Sequence, residues 1–348
     1  MFTLTKASED TKLTIKWGTV GLVILFILFI VVRVIISVSH TLFPPPPPTA
    51  NTAYGKLPQI SFPQSTINNN FTYTLNTLSG TLPQLGDLGK VHRMVYTPPD
   101  LLGLQKAGKL ASTLGFENGP YQYTNQLYDW SAQDEAQRHL RMSILNYDFW
   151  ITSNMSADPN VVSSNHLPDQ ADAISFVKQQ LQNIDMYYPD IDDSKSKTSL
   201  YALKNNVLSP VLALTDAQVV RVDLFQKDVD NLPIYYEHPN QSVMNFLVSG
   251  GAYLPQLVGA SFVYQTPQSD YATYPLKTAN EAFNELKVGR AYIASYYGSS
   301  QNIIINNIFL AYYIGSTPQT YLMPIIVFQG NDGFYAYVPA VTDEWISK

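Results

Sequence analysis

Three patterns of apolar and polar residues succeed one another along this chain. The first is an apolar run, Trp17 to Val38 (WGTVGLVILFILFIVVRVIISV), in which Arg33 is the only charge. It supplies the roughly twenty apolar residues needed to cross a hydrocarbon core of about 30 Å. Arg33 stands near one end, where a long side chain reaches the headgroups, and Trp17 suits the interface. The run is too long for an ordinary signal-peptide core, so a single-pass transmembrane helix is expected over 17–38. Lys6, Lys12 and Lys16 precede it, and beyond Arg33 the next lysine or arginine is Lys56. The positive-inside rule then makes residues 1–16 a cytoplasmic tail and places everything after His40 outside the cytoplasm.

The second pattern is a stretch without hydrophobic period. Pro44–Pro48 are five consecutive prolines. Such a run forms a stiff polyproline II spacer of about 15 Å. Residues 39–70, rich in Pro, Asn, Ser and Thr, read as spacer and linker.

The third pattern switches between periods of two and 3.6. Phe71–Leu75 and Lys90–Tyr96 alternate as half-buried strands do. Asp100 opens a helix to about Leu114, closed by Gly115. Strands around Tyr121–Trp130 and Arg138–Thr152 complete a first α+β unit over 71–154. Met155–Pro168 reads as a connection. Ala173, Ile174, Val177, Leu181 and Ile184 then recur at helical spacing. Strands at Val219–Phe225, Ile234–Glu237, Val243–Val248 and Ala260–Gln265 follow. Thr278-Ala279-Asn280-Glu281 is a capping box, with Ala279, Ala282, Phe283 and Leu286 as the buried stripe. Ile303–Ile314, Tyr321–Gln329 and Phe334–Ala340 form an antiparallel meander, and Pro324 is expected at a bulge or unpaired edge. The fold class expected is therefore α+β: a transmembrane helix, then tandem helix-plus-antiparallel-sheet units over 71–154 and 155–348.

Composition narrows the function classes. Charged residues make up 14% of the chain and 24 residues are Tyr, a balance suited to β-rich extracytoplasmic domains. A net charge of −6 with no basic run argues against nucleic acid. Cysteine is absent, which removes disulfides, zinc–thiolate sites and thiol catalysis, and favours a bacterial envelope over a secreted eukaryotic setting.

The segment TANEAFNEL (Thr278–Leu286), with IFLAYYI (Ile308–Ile314), YLMPIIVFQG (Tyr321–Gly330) and FYAYVPAV (Phe334–Val341), resembles the end of PepSY-like domains. It is similar in particular to the extracytoplasmic part of YycI/YycH-type regulators of bacterial two-component systems. The resemblance covers about residues 275–341 and the layout of one N-terminal span before an outer region. It implies protein binding and regulation, with a partner such as a sensor kinase, and supplies no active-site residues.

Catalytic signatures are likewise missing from the sequence. No nucleophile elbow, P-loop, dinucleotide fingerprint or zinc-protease motif is present. His40, His92, His139, His166 and His238 are not spaced as metal pairs. Asp190, Asp192 and Asp193 form the densest acidic cluster, but Lys195 and Tyr201 stand where a calcium loop needs Gly and Glu. With Lys195 and Lys197 beside it, the cluster reads as a solvated, charge-balanced loop. Glu117, Asp129, Asp134, Glu135, Asp148 and Asp223 are scattered, and no carboxylate pair can be picked out. No catalytic, cofactor-binding or metal residue is assigned, and no cofactor. The expected protein is a non-enzymatic, membrane-anchored extracytoplasmic module that senses, inhibits or scaffolds a membrane-associated partner. The alternatives are a cell-envelope hydrolase with an unrecognised carboxylate site and a structural component of a secretion or surface assembly.

Overall fold

The computed structural model describes residues 17, 25–33, 49–65, 67, 70–204 and 207–347. The chain forms two compact units, residues 1–49 and 50–348. In the first, residues 25–33 are helical with exposed side chains. Apart from these and Trp17, the expected span over 17–38 lies outside the described residues, as do His40 and Pro44–Pro48. Among the described residues no helix is long and apolar enough to cross a membrane.

The second unit is mostly sheet, which overturns the expected α+β arrangement. In chain order its elements are β1 (Thr72–Leu75), β2 (Leu88–Met94), α1 (Gly103–Thr113), β3 (Asn118–Gln122), β4 (Leu127–Ser131), β5 (His139–Ser143) and β6 (Phe149–Thr152). Next come α2 (Pro159–Val162), α3 (Gln170–Asn183), β7 (Ile191–Lys204), β8 (Val207–Val211), β9 (Val219–Gln226), β10 (Ile234–Tyr235), β11 (Met244–Ser249) and β12 (Gln256–Phe262). The last are β13 (Pro267–Pro275), α4 (Ala279–Lys287), β14 (Tyr292–Ser295), β15 (Asn302–Tyr313), β16 (Tyr321–Gly330) and β17 (Tyr335–Pro339).

Two large sheets result. Nine antiparallel strands run in the order β3-β4-β5-β6-β12-β11-β9-β7-β8. Eight strands form the other sheet, with β1-β15-β16-β17-β14 as its spine, β10 beside β15, and β2 joining β13 to β16. The expected unit boundary at Asn154 is crossed, because Phe149–Ile151 of β6 pair with Ala260–Phe262 of β12. The two meanders thus fuse edge to edge. The C-terminal sheet likewise recruits β1, β2, β10 and β13 from earlier in the chain, so sheet dominates over the helices.

The largest error of sequence reading is β7. The acidic cluster and its lysines, taken for a solvated loop, belong to or adjoin a fourteen-residue strand. Over Asp192–Ser199 both its faces carry Asp, Ser, Lys or Thr, so a period of two leaves no apolar trace there. Its charges find partners beyond the strand: Lys178 Nζ meets Asp193 Oδ2 at 2.6 Å, and Lys195 pairs with Asp228.

Local signals did set the helix ends. The Thr278 hydroxyl accepts from the Glu281 N–H at 3.2 Å, while Glu281 Oε2 accepts from the Thr278 N–H at 2.8 Å. Gly103 of α1 lies so close to β5's exit that a Cβ would stand 2.6 Å from the Ile144 carbonyl oxygen. Pro324 sits inside the sheet rather than at a bulge or outer edge. Its carbonyl accepts from the Ala340 N–H at 3.0 Å, so its ring nitrogen faces the same side. There the ladder passes from β17, which pairs with Ile325–Gln329, to β2, which pairs with Tyr321 and Leu322. The missing donor falls in that gap. Both outer strands of the nine-stranded sheet carry a proline, Pro120 in β3 and Pro210 in β8, which blunts edge-to-edge pairing.

One of the core clusters draws on both sheets. Ala107 and Ala111 of α1 and Ala173, Val177 and Leu181 of α3 pack against the inner residues of the nine strands. Tyr312, Ile314 and Leu322 from the eight-stranded sheet enter the same cluster.

Candidate functional site

Because side chains alternate along a strand, the helix-covered face of the nine-stranded sheet dictates the composition of the other. Leu140, Met142, Phe149, Ile151, Val220, Val222, Leu224, Met244 and Phe246 are buried toward the helices. Their neighbours face the opposite way. Register lines these up as one row across seven strands: Asp129, Arg141, Trp150, Ser261, Asn245, Asp223 and Lys197.

Both carboxylates of this row are paired with arginines of the same face, Asp129 with Arg141 and Asp223 with Arg221. Arg141 donates to both Asp129 oxygens at 2.8 and 2.9 Å, and its guanidinium lies 3.3 Å from the centre of the Tyr123 ring. The hydrogen bond to Asp129 raises the Arg141 pKa, holding it charged. Arg221, two residues before Asp223 on the same face, donates to both its oxygens at 2.8 Å. Asp223 is 2% exposed and also accepts from the Ser242 N–H at 2.8 Å. Lys197 donates to the Asn240 side-chain oxygen at 3.0 Å.

Two clefts open at the β4–β6 end of this face. One, of about 370 Å³, is lined by Leu127, Asp129, His139, Arg141, Trp150 and Thr152 among others. The other, about 720 Å³, shares His139 and adds Asp134, Glu135, Asp158 and Gln256. Asp134 is engaged by Arg138 at 2.5 Å. Asp158 caps α2 through the Asn160 N–H at 2.9 Å and accepts from Gln256 Nε2 at 2.8 Å. Glu135 and His139 are the exposed ionisable groups here, and one carboxylate beside one imidazole falls short of the paired carboxylates of glycoside hydrolysis.

The remaining residues considered from sequence lie apart from these clefts. Glu117 is exposed. Asp148 is buried in the β5–β6 turn, accepting from the Tyr264 N–H at 3.0 Å and Asn146 Nδ2 at 2.5 Å. Burial pushes its carboxyl up to about 7. Asp190 accepts from the Tyr264 hydroxyl at 2.6 Å and Gln226 Nε2 at 2.9 Å. His92 is buried between Asp230 Oδ2 (2.7 Å) and the Gln268 carbonyl (3.1 Å), and Lys90 reaches the other Asp230 oxygen at 2.7 Å. His166 Nδ1 meets the Gly251 carbonyl at 3.2 Å. His238 lies 2.9 Å from the Tyr297 hydroxyl, its pKa lowered by burial and by Arg221. Among the described residues no group of three or more His, Asp or Glu is placed to hold a metal ion.

Sequence reading missed Trp150, Arg141 and Arg221. Alternation was the available signal, since Arg141 and Trp150 each stand between two apolar residues. Bringing them into one row needed the strand order.

Comparison with known proteins adds little. No family model matches the chain, and no curated protein matches it. Among solved structures, an uncharacterized protein from Eubacterium rectale is similar over 74% of this chain and 84% of its own, at 14% identity and a TM-score of 0.35. That likeness is too distant to carry an argument.

Proposed function

We propose that the chain is a non-enzymatic binding module of the cell envelope, held at the membrane by the apolar run 17–38 and engaging a membrane-associated protein outside the cytoplasm. The observation that carries this reading is the open sheet face around Trp150. Its Arg, Trp and Tyr content is that of protein-contact hot spots, and its charges are already paired, so a partner need not neutralise them. The fixed carboxylates Asp129, Asp134, Asp158 and Asp223 support binding over acid–base chemistry, which needs a group able to move a proton. The PepSY-like resemblance of about residues 275–341 supports a regulatory partner such as a sensor kinase.

The test is site-specific photo-crosslinking in cells on the full chain. A crosslinker at Thr152, on the rim of the Trp150 cleft, should capture a discrete envelope or membrane protein. One at Lys109, on the solvent side of α1, should not. Trp150→Ala should reduce capture about tenfold, the scale of a hot-spot truncation. Equal capture at both positions, or cellular function abolished by Glu135→Gln while capture persists, would overturn the reading, the latter in favour of a hydrolase.

A further inference from the structure

Helix α4 buries an apolar stripe of Ala279, Ala282, Phe283 and Leu286, and beside them one carboxylate, Glu285. Its counter-charge is the equally buried Lys277, whose Nζ stands 2.9 Å from Glu285 Oε1 and 2.6 Å from Asp343 Oδ1. A buried ion pair contributes little net stability, because the desolvation of both groups offsets their attraction. An apolar residue at position 285 would hold α4 equally well, so packing alone does not account for the pair.

The pair lines a cavity. About 430 Å³ of space lies between the C-terminal end of α4, the tail around Asp343 and the extended residues Gln59 and Ile60. Its walls are tied together: the Leu57 N–H donates to the Trp345 carbonyl and the Ser347 N–H to the Leu57 carbonyl, both at 2.8 Å. Lys277, Glu285, Arg290 and Asp343 bring two cations and two carboxylates to it. Ile60, Pro339 and Ile346 supply an apolar wall.

Two of these charges are not consumed by the others. Arg290 Nη2 is 3.8 Å from Glu285 Oε1, beyond hydrogen-bond reach, and the Arg290 side chain is 64% exposed. Asp343 gives one oxygen to Lys277, and its side chain is 74% exposed. Charge balance decides what they take. A simple anion is repelled by Glu285 and Asp343, and a simple cation by Lys277, which already sits between those carboxylates. A zwitterion meets neither penalty. In an α-amino acid the ammonium nitrogen and the nearer carboxylate oxygen are about 3 Å apart. Such a pair matches the 3.8 Å between Glu285 Oε1 and Arg290 Nη2, with each charge beside its complement.

We infer that this cavity is a binding site for a free α-amino acid with an aliphatic side chain. The ligand's carboxylate takes two N–H donors of Arg290, whose planar fork suits it. Its ammonium donates to Asp343 and Glu285, and its side chain lies on Ile60, Pro339 and Ile346. Lys277 is a positioning residue that holds the two carboxylates in place. The volume is in the range of small-molecule sites. The cavity shares no lining residue with the clefts at the Trp150 face, so it stands or falls independently of that face.

Isothermal titration calorimetry of the full chain in detergent micelles with L-leucine tests the site. Saturable binding with a Kd below about 1 mM is expected. N-acetyl-L-leucine and L-leucinamide, each lacking one of the two charges, should bind at least about tenfold more weakly. Arg290→Gln and Asp343→Asn, both at exposed positions and both leaving the Lys277–Glu285 pair in place, should each weaken L-leucine binding about tenfold or more. L-Glutamate and L-lysine should bind more weakly than L-leucine, because their charged side chains would lie on the apolar wall. The inference is overturned if L-leucine, L-isoleucine and L-valine show no saturable binding up to about 10 mM. Equal binding of the acetylated or amidated ligand, or unchanged L-leucine affinity in either variant, also overturns it. Variants that only lower the melting temperature, with no L-leucine binding by wild type, would make the four charges a clamp on the C-terminal tail and refute the site.

Discussion

Replacing Asp148 by Asn should stabilise this protein at alkaline pH and flatten the dependence of its stability on pH. Asp148 is 3% exposed, and burial raises its carboxyl from the ordinary 3.8 to about 7. The hydrogen bonds from Tyr264 and Asn146 oppose this rise without cancelling it. Above pH 7 both folded and unfolded chains carry the charge, and the folded state bears its full desolvation. As pH falls from 7 toward 4, only the folded state takes up a proton, so stability increases; below 4 both states are protonated and the gain is complete. At about 1.4 kcal/mol per pH unit, the interval amounts to at most about 4 kcal/mol. The amide introduced by Asp148→Asn would carry no charge at any pH. Its oxygen can still accept from the Tyr264 N–H, and the Asn146 amide can rotate to offer its own oxygen. Urea unfolding of the full chain, followed by tryptophan fluorescence at pH 5, 6, 7 and 8, measures the effect. Asp148→Asn should exceed wild type by about 1–4 kcal/mol at pH 8, with the gap closing toward pH 5 at unchanged urea dependence. Parallel curves from pH 5 to 8, or a variant less stable than wild type at pH 8, would refute the reasoning.

Three further outcomes are expected in the same assay. Gly108→Ala, with nothing within 4 Å of the new methyl, should stabilise α1 by about 0.5–1 kcal/mol, whereas Gly103→Ala should destabilise because its Cβ would meet the Ile144 carbonyl oxygen at 2.6 Å. Thr278→Ala should lose about 0.5–2 kcal/mol and Thr278→Ser little; indistinguishable proteins would mean the capping box contributes nothing. Asp223→Ala strands the partly buried Arg221 and should lose about 3–5 kcal/mol, while Asp129→Ala, opening a more exposed pair, should lose about 1 kcal/mol or less. Equal losses at the two would contradict the burial contrast.

Short-range signals in this chain proved legible because the physics behind them is local. The capping box at Thr278 and the left-handed Gly115 after α1 depend on residues a few positions apart. The meander Ile303–Ala340 was equally clear, since its strands are rich in apolar residues and follow one another directly in sequence. Where both faces of a strand are polar, as in β7, the period that betrays a strand is silent. There only the apolar partner β9, which supplies the pairing, reveals it.

Strand order lay beyond the sequence altogether. Nothing in Phe149–Ile151 specifies that Ala260–Phe262, over a hundred residues later, will pair with it, yet that contact fuses two meanders into nine strands. The same contact turns Arg141, Trp150, Ser261 and Asn245 from scattered polar residues into one row. Residues 57–65, whose Phe62 ring packs on the tyrosines Tyr292, Tyr313 and Tyr337 of the eight-stranded sheet, were likewise read as linker, because a segment without period or pairing has only its tertiary contacts to define it. Sequence determined the alternation that put the tyrosines and the Trp150 row on the faces they occupy. Tertiary structure alone decided which strands lie side by side, and therefore which of those residues meet, because register between distant strands is set by packing of the whole core and by no local propensity.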